Sequence, residues 1–139
     1  MRPYFINDCC FGDDCALWLV HELRTRGWTD LAEPWQEDWG WQTRGVRGKR
    51  KYLLSVGLIP EDSPEWLVHV QESVSLLDRI RRSASPSAIP DLIRAIHDVL
   101  SHAHDVADIR WHYEDVFMRG ASAGMPEPSA PRGATERKA

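Results

Sequence analysis

The chain has 139 residues, of which 42% are hydrophobic and 27% charged, with a formal net charge of −4. That length supports one domain with a real core and no need of metal or disulfide staples. No apolar run approaches the roughly 18 to 20 residues that span a bilayer, and the acidic balance argues against general polyanion binding.

The charge divides unevenly. Residues 119–139 hold Arg119, Arg132, Arg137 and Lys138 against Glu127 and Glu136, a balance of +2, so residues 1–118 carry −6. The start of the chain, Met1-Arg2-Pro3-Tyr4-Phe5-Ile6-Asn7-Asp8, lacks the long apolar stretch and small-residue cleavage site of a signal peptide. A cytoplasmic protein is expected. Cys9, Cys10 and Cys15 are odd in number and clustered, unlike a secreted disulfide framework, and are read as reduced thiols.

Tyr4–Asn7 is compatible with an additional initial strand. Asp13 or Asp14 supplies an N-cap for a helix that runs to about Arg26, where Gly27 stops it. Ala16, Leu19, Val20 and Leu23 fall at the spacing of one buried helical face. Trp28–Glu33 reads as a weak strand closed by Pro34. Trp39–Arg44 alternates, with Trp39, Trp41 and Thr43 on one face. Gly45-Val46-Arg47-Gly48 forms a turn, and Arg50–Ile59 is the next strand, with Tyr52, Leu54, Val56 and Leu58 on a common face. After the turn chemistry of Pro60–Pro64, Trp66, Val68 and Val70 alternate with Leu67, His69 and Gln71.

The second half is read more sparsely. Ser75–Arg82 makes a short helix with Leu76, Leu77 and Ile80 inward. Pro90-Asp91 starts a helix to about Ala103, its stripe formed by Leu92, Ile93, Ile96, Val99 and Leu100. Val106–Tyr113 is a last strand. The order predicts an α+β two-layer sandwich, helices packed on one face of a mainly antiparallel four- to five-stranded sheet. Residues 1–118 form the domain, and the Ala, Ser, Gly and Pro-rich residues 119–139 form a disordered tail.

Four groups of residues carry candidate chemistry. Glu37-Asp38-Trp39-Gly40-Trp41, preceded by Trp35, is either a recognition edge of carboxylates and an indole anchor or an aromatic core wall. His97, His102, His104 and His112, with Asp98, Asp105 and Asp108, could hold zinc, although histidines near a helix C-terminus follow from the macrodipole alone. Arg44, Arg47, Lys49, Arg50 and Lys51 form a basic hairpin that could bind a nucleic-acid backbone, or simply a solvated turn. Cys15, near Cys9 and Cys10, lacks Cys-x-x-Cys spacing, and Asp13 and Asp14 disfavour its thiolate. An acid–base pair of Glu37 or Asp38 with His69 or His112 is compatible with a sheet.

The strings Glu37-Asp38-Trp39-Gly40-Trp41, Lys51-Tyr52-Leu53-Leu54, Trp66-Leu67-Val68 and Ile109-Arg110-Trp111-His112 resemble those of small bacterial α+β proteins, and the style is similar to immunity proteins that neutralise partner toxins. The resemblance spans residues 28–113 and implies a non-enzymatic binding protein with no catalytic residue to carry over. The function expected is a cytoplasmic protein-interaction module that uses Trp35, Glu37, Asp38 and Trp39 against a protein partner, with no metal, cofactor or membrane. The rival is a metal-dependent hydrolase-like enzyme built on His102, His104 and His112. A third reading is nucleic-acid binding through Arg44–Lys51.

Overall fold

The computed structural model describes residues 12–58, 65–73, 76–81, 87–120 and 123–128. They belong to two compact units, Met1–Ile89 and Pro90–Ala139. The expected strand at Tyr4–Asn7, along with Cys9 and Cys10, lies outside the described residues.

Helix α1 (Asp13–Thr25) buries Ala16, Leu19, Val20 and Leu23, the face its spacing predicts. Its N-cap is Gly12 rather than Asp13 or Asp14. The two acids fall instead in the first turn, where they offset the exposed N–H groups of the helix end. At the other end Gly27 adopts φ +95. Its N–H bonds to Arg24 O at 3.1 Å, and the N–H of Trp28 bonds to Leu23 O at 3.0 Å. That pair of bonds is a Schellman stop, completed by the buried side chains of Leu23 and Trp28.

Four strands follow: β1 (Trp35–Glu37), β2 (Gly40–Arg47), β3 (Arg50–Leu58) and β4 (Trp66–Ser73), paired antiparallel in sequence order. The fold class is α+β. The registers Trp41↔Val56, Thr43↔Leu54 and Gly45↔Tyr52 set one face, extended across β4 by Val68, Val70 and Glu72. Trp41, Thr43, Tyr52, Leu54 and Val56 are buried on it, and α1 contacts β2. Each large apolar side chain hidden there contributes about 1.5–3 kcal/mol.

The strand expected over Trp28–Glu33 does not form. The chain turns at Thr29-Asp30 and only then enters the short β1. The reason is that this connection is held by side chains of α1 and by β2 at Ala32, whose N–H also bonds to Arg44 O at 2.9 Å. Arg24 donates from Nη2 to Leu31 O (2.8 Å) and from Nη1 to Glu33 (2.7 Å), and Thr43 Oγ1 donates to Ala32 O (2.6 Å). The turn expected at Gly45–Gly48 also shifts. Strand β2 runs on to Arg47, and a two-residue turn at Gly48-Lys49, with Gly48 at φ +61, joins the paired Arg47 and Arg50. Gly45 has a different role: a Cβ there would strike the ring and hydroxyl of Tyr52, which lies across it.

Helix α2 (Leu76–Arg81) forms where expected, but Leu76, Leu77 and Ile80 are 73%, 62% and 71% exposed rather than inward. Six residues make fewer than two turns, too short for periodicity to say which side the chain buries.

In the second unit, α3 (Ile89–His102) buries Leu92, Ile96 and Val99 on the predicted stripe. The strand expected over Val106–Tyr113 reduces to one bridge, Trp111↔Met125. Asp108 at φ +54 breaks the extended run, and α4 (Glu114–Met118) follows unforeseen. Residues 123–128, within the stretch expected to form the tail, meet Trp111: its N–H bonds to Met125 O at 2.7 Å, and Met125 N–H bonds back to Trp111 O at 2.8 Å.

Gly45→Ala is expected to destabilise by about 1–3 kcal/mol through overpacking against Tyr52, read as a lowered denaturant midpoint with unchanged slope.

Candidate functional site

The basic hairpin is drawn into the structure. Arg47 places its guanidinium 3.5 Å from the centre of the Trp28 ring, donates to Gly27 O at 2.9 Å and lies 3.7 Å from Asp30. Trp28 meets Tyr52 edge-on, with ring centres 5.7 Å apart. Tyr52 donates its hydroxyl to Asp30 Oδ2. Arg50 stands 3.8 Å from Glu72, whose Oε1 is buried and accepts no hydrogen bond among the described residues. Arg44 lies over Trp35, 5.7 Å from its ring. Three of the five cations therefore face groups of this same chain, which weakens them as a phosphate-binding surface.

At the other end of the sheet, Asp38 and Trp39 form the two-residue turn between β1 and β2. The expectation that Trp39 and Trp41 share a buried face is overturned. Trp41 is 2% exposed and Trp39 is 53% exposed. Trp39 sits in the turn, ahead of the first strand residue, so strand alternation does not govern it. Gly57 leaves room beside it: a Cβ on that residue would lie 2.8 Å from the Trp39 carbonyl oxygen and 3.7 Å from its Cε3. Gly57 pairs with Leu67, itself 36% exposed. Trp39 and Leu67 thus flank a bare glycine on the face opposite Trp41.

The other predicted binding residues behave differently. Trp35 is half-buried and its Nε1–H donates to Glu37 Oε1 at 2.6 Å, beneath Arg44. Glu37 is thereby an internal partner of Trp35. Asp38 is exposed. Of the four predicted residues, Asp38 and Trp39 present themselves outward, while Trp35 and Glu37 brace the turn.

The register also assembles a row that sequence order hides. Trp35 pairs with Gln42, Gln42 with Ser55, and Ser55 with His69, all on the face opposite the α1 side. Gln42 Nε2 donates to Ser55 Oγ at 3.2 Å, and Ser55 is 4% exposed. A serine so enclosed and already engaged gives the face a hydrogen-bonding strip and not an open nucleophile. The signal that could have found this row was the hairpin register itself, two strands with period-2 alternation and a short turn.

The remaining candidates disperse. Glu37 on β1 and His69 on β4 lie at opposite edges, three strand spacings or roughly 14 Å apart, so they form no acid–base pair. His102 and His104 are exposed, the former with Nδ1 2.7 Å from Asp98 O. His112 packs against Phe117, ring centres 5.1 Å apart. Among the described residues no group of three or more His, Cys, Asp or Glu side chains is placed to hold a metal ion, and no helix is long and apolar enough to cross a membrane. Cys15 is half-buried, and burial first and Asp14 second push its thiol pKa up, away from the reactive thiolate.

The chain matches no family model, no curated protein and no solved structure. The site therefore rests on its own geometry.

Burial, the bond to Asp30 and the charge of Asp30 hold the Tyr52 phenol well above its ordinary range, against a smaller opposing effect of Arg47. A raised folded-state pKa means that the folded chain keeps its proton longer than the unfolded one. Stability from this group is complete below the unfolded tyrosine range and is lost as pH rises above about 10. Tyr52 should add up to about 1.4 kcal/mol per pH unit to the fall in unfolding free energy there, and Tyr52→Phe should remove that contribution and leave the one due to Cys15.

Proposed function

We propose that this protein is a non-enzymatic protein-interaction module that binds its partner through the β1–β2 turn, with Trp39 as the anchor and Asp38 as the charged contact. The observation that carries the reading is Trp39: a large indole, 53% exposed, beside Gly57. An indole has only two rotatable side-chain bonds and loses little conformational freedom on binding, which suits it to a binding hot spot. Leu67 extends the apolar contact. Asp38, on a body of net charge −6, favours a partner with a basic patch, whose encounter it would steer. The immunity-like style of the sequence agrees with a role of this kind in a bacterial cytoplasm. Trp35 and Glu37 support the turn from beneath in this reading, their bond fixing its backbone.

Immobilised protein should capture a partner from native lysate at moderate salt. Trp39→Ala should weaken that capture at least about tenfold, the loss expected of a hot spot. Asp38→Lys should slow association and reduce its salt dependence. Both variants should stay folded, with a stability loss of about 1 kcal/mol for the half-exposed Trp39. A folded Asp38→Lys plus Trp39→Ala double variant that retains every partner would overturn the assignment.

A further inference from the structure

His97 on α3 is tied at both ring nitrogens. The indole Nε1 of Trp111 stands 3.0 Å from His97 Nδ1, and Glu127 Oε2 stands 3.1 Å from His97 Nε2. An indole N–H can only donate, so Nδ1 must offer its lone pair and the imidazole proton must sit on Nε2, facing Glu127. The arrangement requires a neutral ring. Trp111 also holds Met125 through two backbone bonds. The imidazole therefore connects α3 to residues 123–128 by two routes, through Trp111 and directly through Glu127.

We propose that His97 is a proton-operated latch: the neutral imidazole fastens Trp111, and with it the segment around Met125, to α3, and proton uptake releases it. A proton added at Nδ1 sets one N–H against another, and Trp111 loses its acceptor. The same proton strengthens attraction to Glu127, but that side chain is 78% exposed whereas His97 is 19% exposed. The ion pair forms at Nε2 with an exposed, screened carboxylate and cannot restore the Trp111 bond, because a protonated Nδ1 has no lone pair left to accept the indole N–H.

Other charged and titratable groups lie on the elements that meet the ring. On α3 these are Asp91, Arg94, Asp98 and His102, with Asp98 3.8 Å from His102. Beside Trp111, Arg110 bonds to Asp108 at 2.9 Å. His112 faces Phe117, and a Cβ on Gly124 would lie 2.8 Å from its ring. His112, next to Trp111 in the chain, is the imidazole the experiment must separate from His97.

The test uses the full ¹⁵N-labelled chain, with the Trp111 indole signal assigned by its loss in Trp111→Phe. Exchange rates of that indole N–H and of the Met125 amide, corrected for intrinsic pH dependence, are compared between about pH 8 and about pH 5, on either side of the imidazole range. Both should lose protection roughly tenfold on acidification, the factor matching one hydrogen bond. In His97→Asn, whose amide oxygen can accept from Trp111 without taking up a proton, protection should be flat across the same range. Flat protection in the unaltered chain would overturn the proposal, as would the same pH response in His97→Asn, which would assign it to His112. Long-range imidazole ¹⁵N couplings in the unaltered chain give a second reading that needs no variant. They should show the proton of His97 on Nε2 at about pH 8, and a proton on Nδ1 would be fatal to the latch.

Discussion

The first unit is organised around one part-buried contact, the hydroxyl of Tyr52 bonded to Asp30. It exists because Gly45 has no side chain: the tyrosine ring crosses the neighbouring strand and reaches the connection that follows α1. Asp30 belongs to that connection, Trp28 closes the C-terminus of α1, and Arg47 covers Trp28 from the hairpin. Helix, connection and hairpin are thus held by the same few side chains. The cation–π contact and the hydrogen bonds are individually modest, on the order of 0.5–2 kcal/mol each. Their weight comes from sharing members, since a polar network in a low-dielectric setting is costly to leave half-satisfied.

That arrangement decides which surface is left for recognition. Arginines that look like a basic patch in the sequence are turned onto Trp28, Trp35, Asp30 and Glu72. The far turn, by contrast, keeps an indole outward. Small residues beside it, together with the Trp35–Glu37 bond, shape that turn. Gly57 makes room for Trp39, and a Cβ on Gly40 would collide with the carbonyl of Val56. Close backbone approach at Gly40 and Gly57 draws the turn down onto the sheet, so Trp39 is presented from a fixed base.

In the second unit a histidine does the joining. His97 accepts from Trp111 and faces Glu127, so two segments distant in sequence meet on one imidazole of α3. The histidines that invite a metal-site interpretation from their sequence density instead take separate partners: a backbone carbonyl for His102, an aromatic ring for His112, an indole for His97.

Much of the architecture was legible from residues alone. The apolar spacing of α1 and α3, the glycine stop at Gly27, and the alternation of β3 and β4 all act over a few residues, where steric and hydrophobic periodicity dominate. The α+β class follows from their order. The sequence also singled out the stretch from Trp35 to Trp41, but it could not sort its tryptophans. Strand alternation assumes that a residue lies in the strand, and Trp39 falls one place outside it. Likewise, residues 106–113 have strand-like alternation, but among the described residues they form a single β-bridge, to Met125, nearly at the end of the described chain. Local pattern determined which elements exist. Tertiary packing decided which indole faces water, which arginines are occupied and which histidine is bound at both nitrogens, because burial, register and hydrogen-bond pairing depend on residues far apart in sequence.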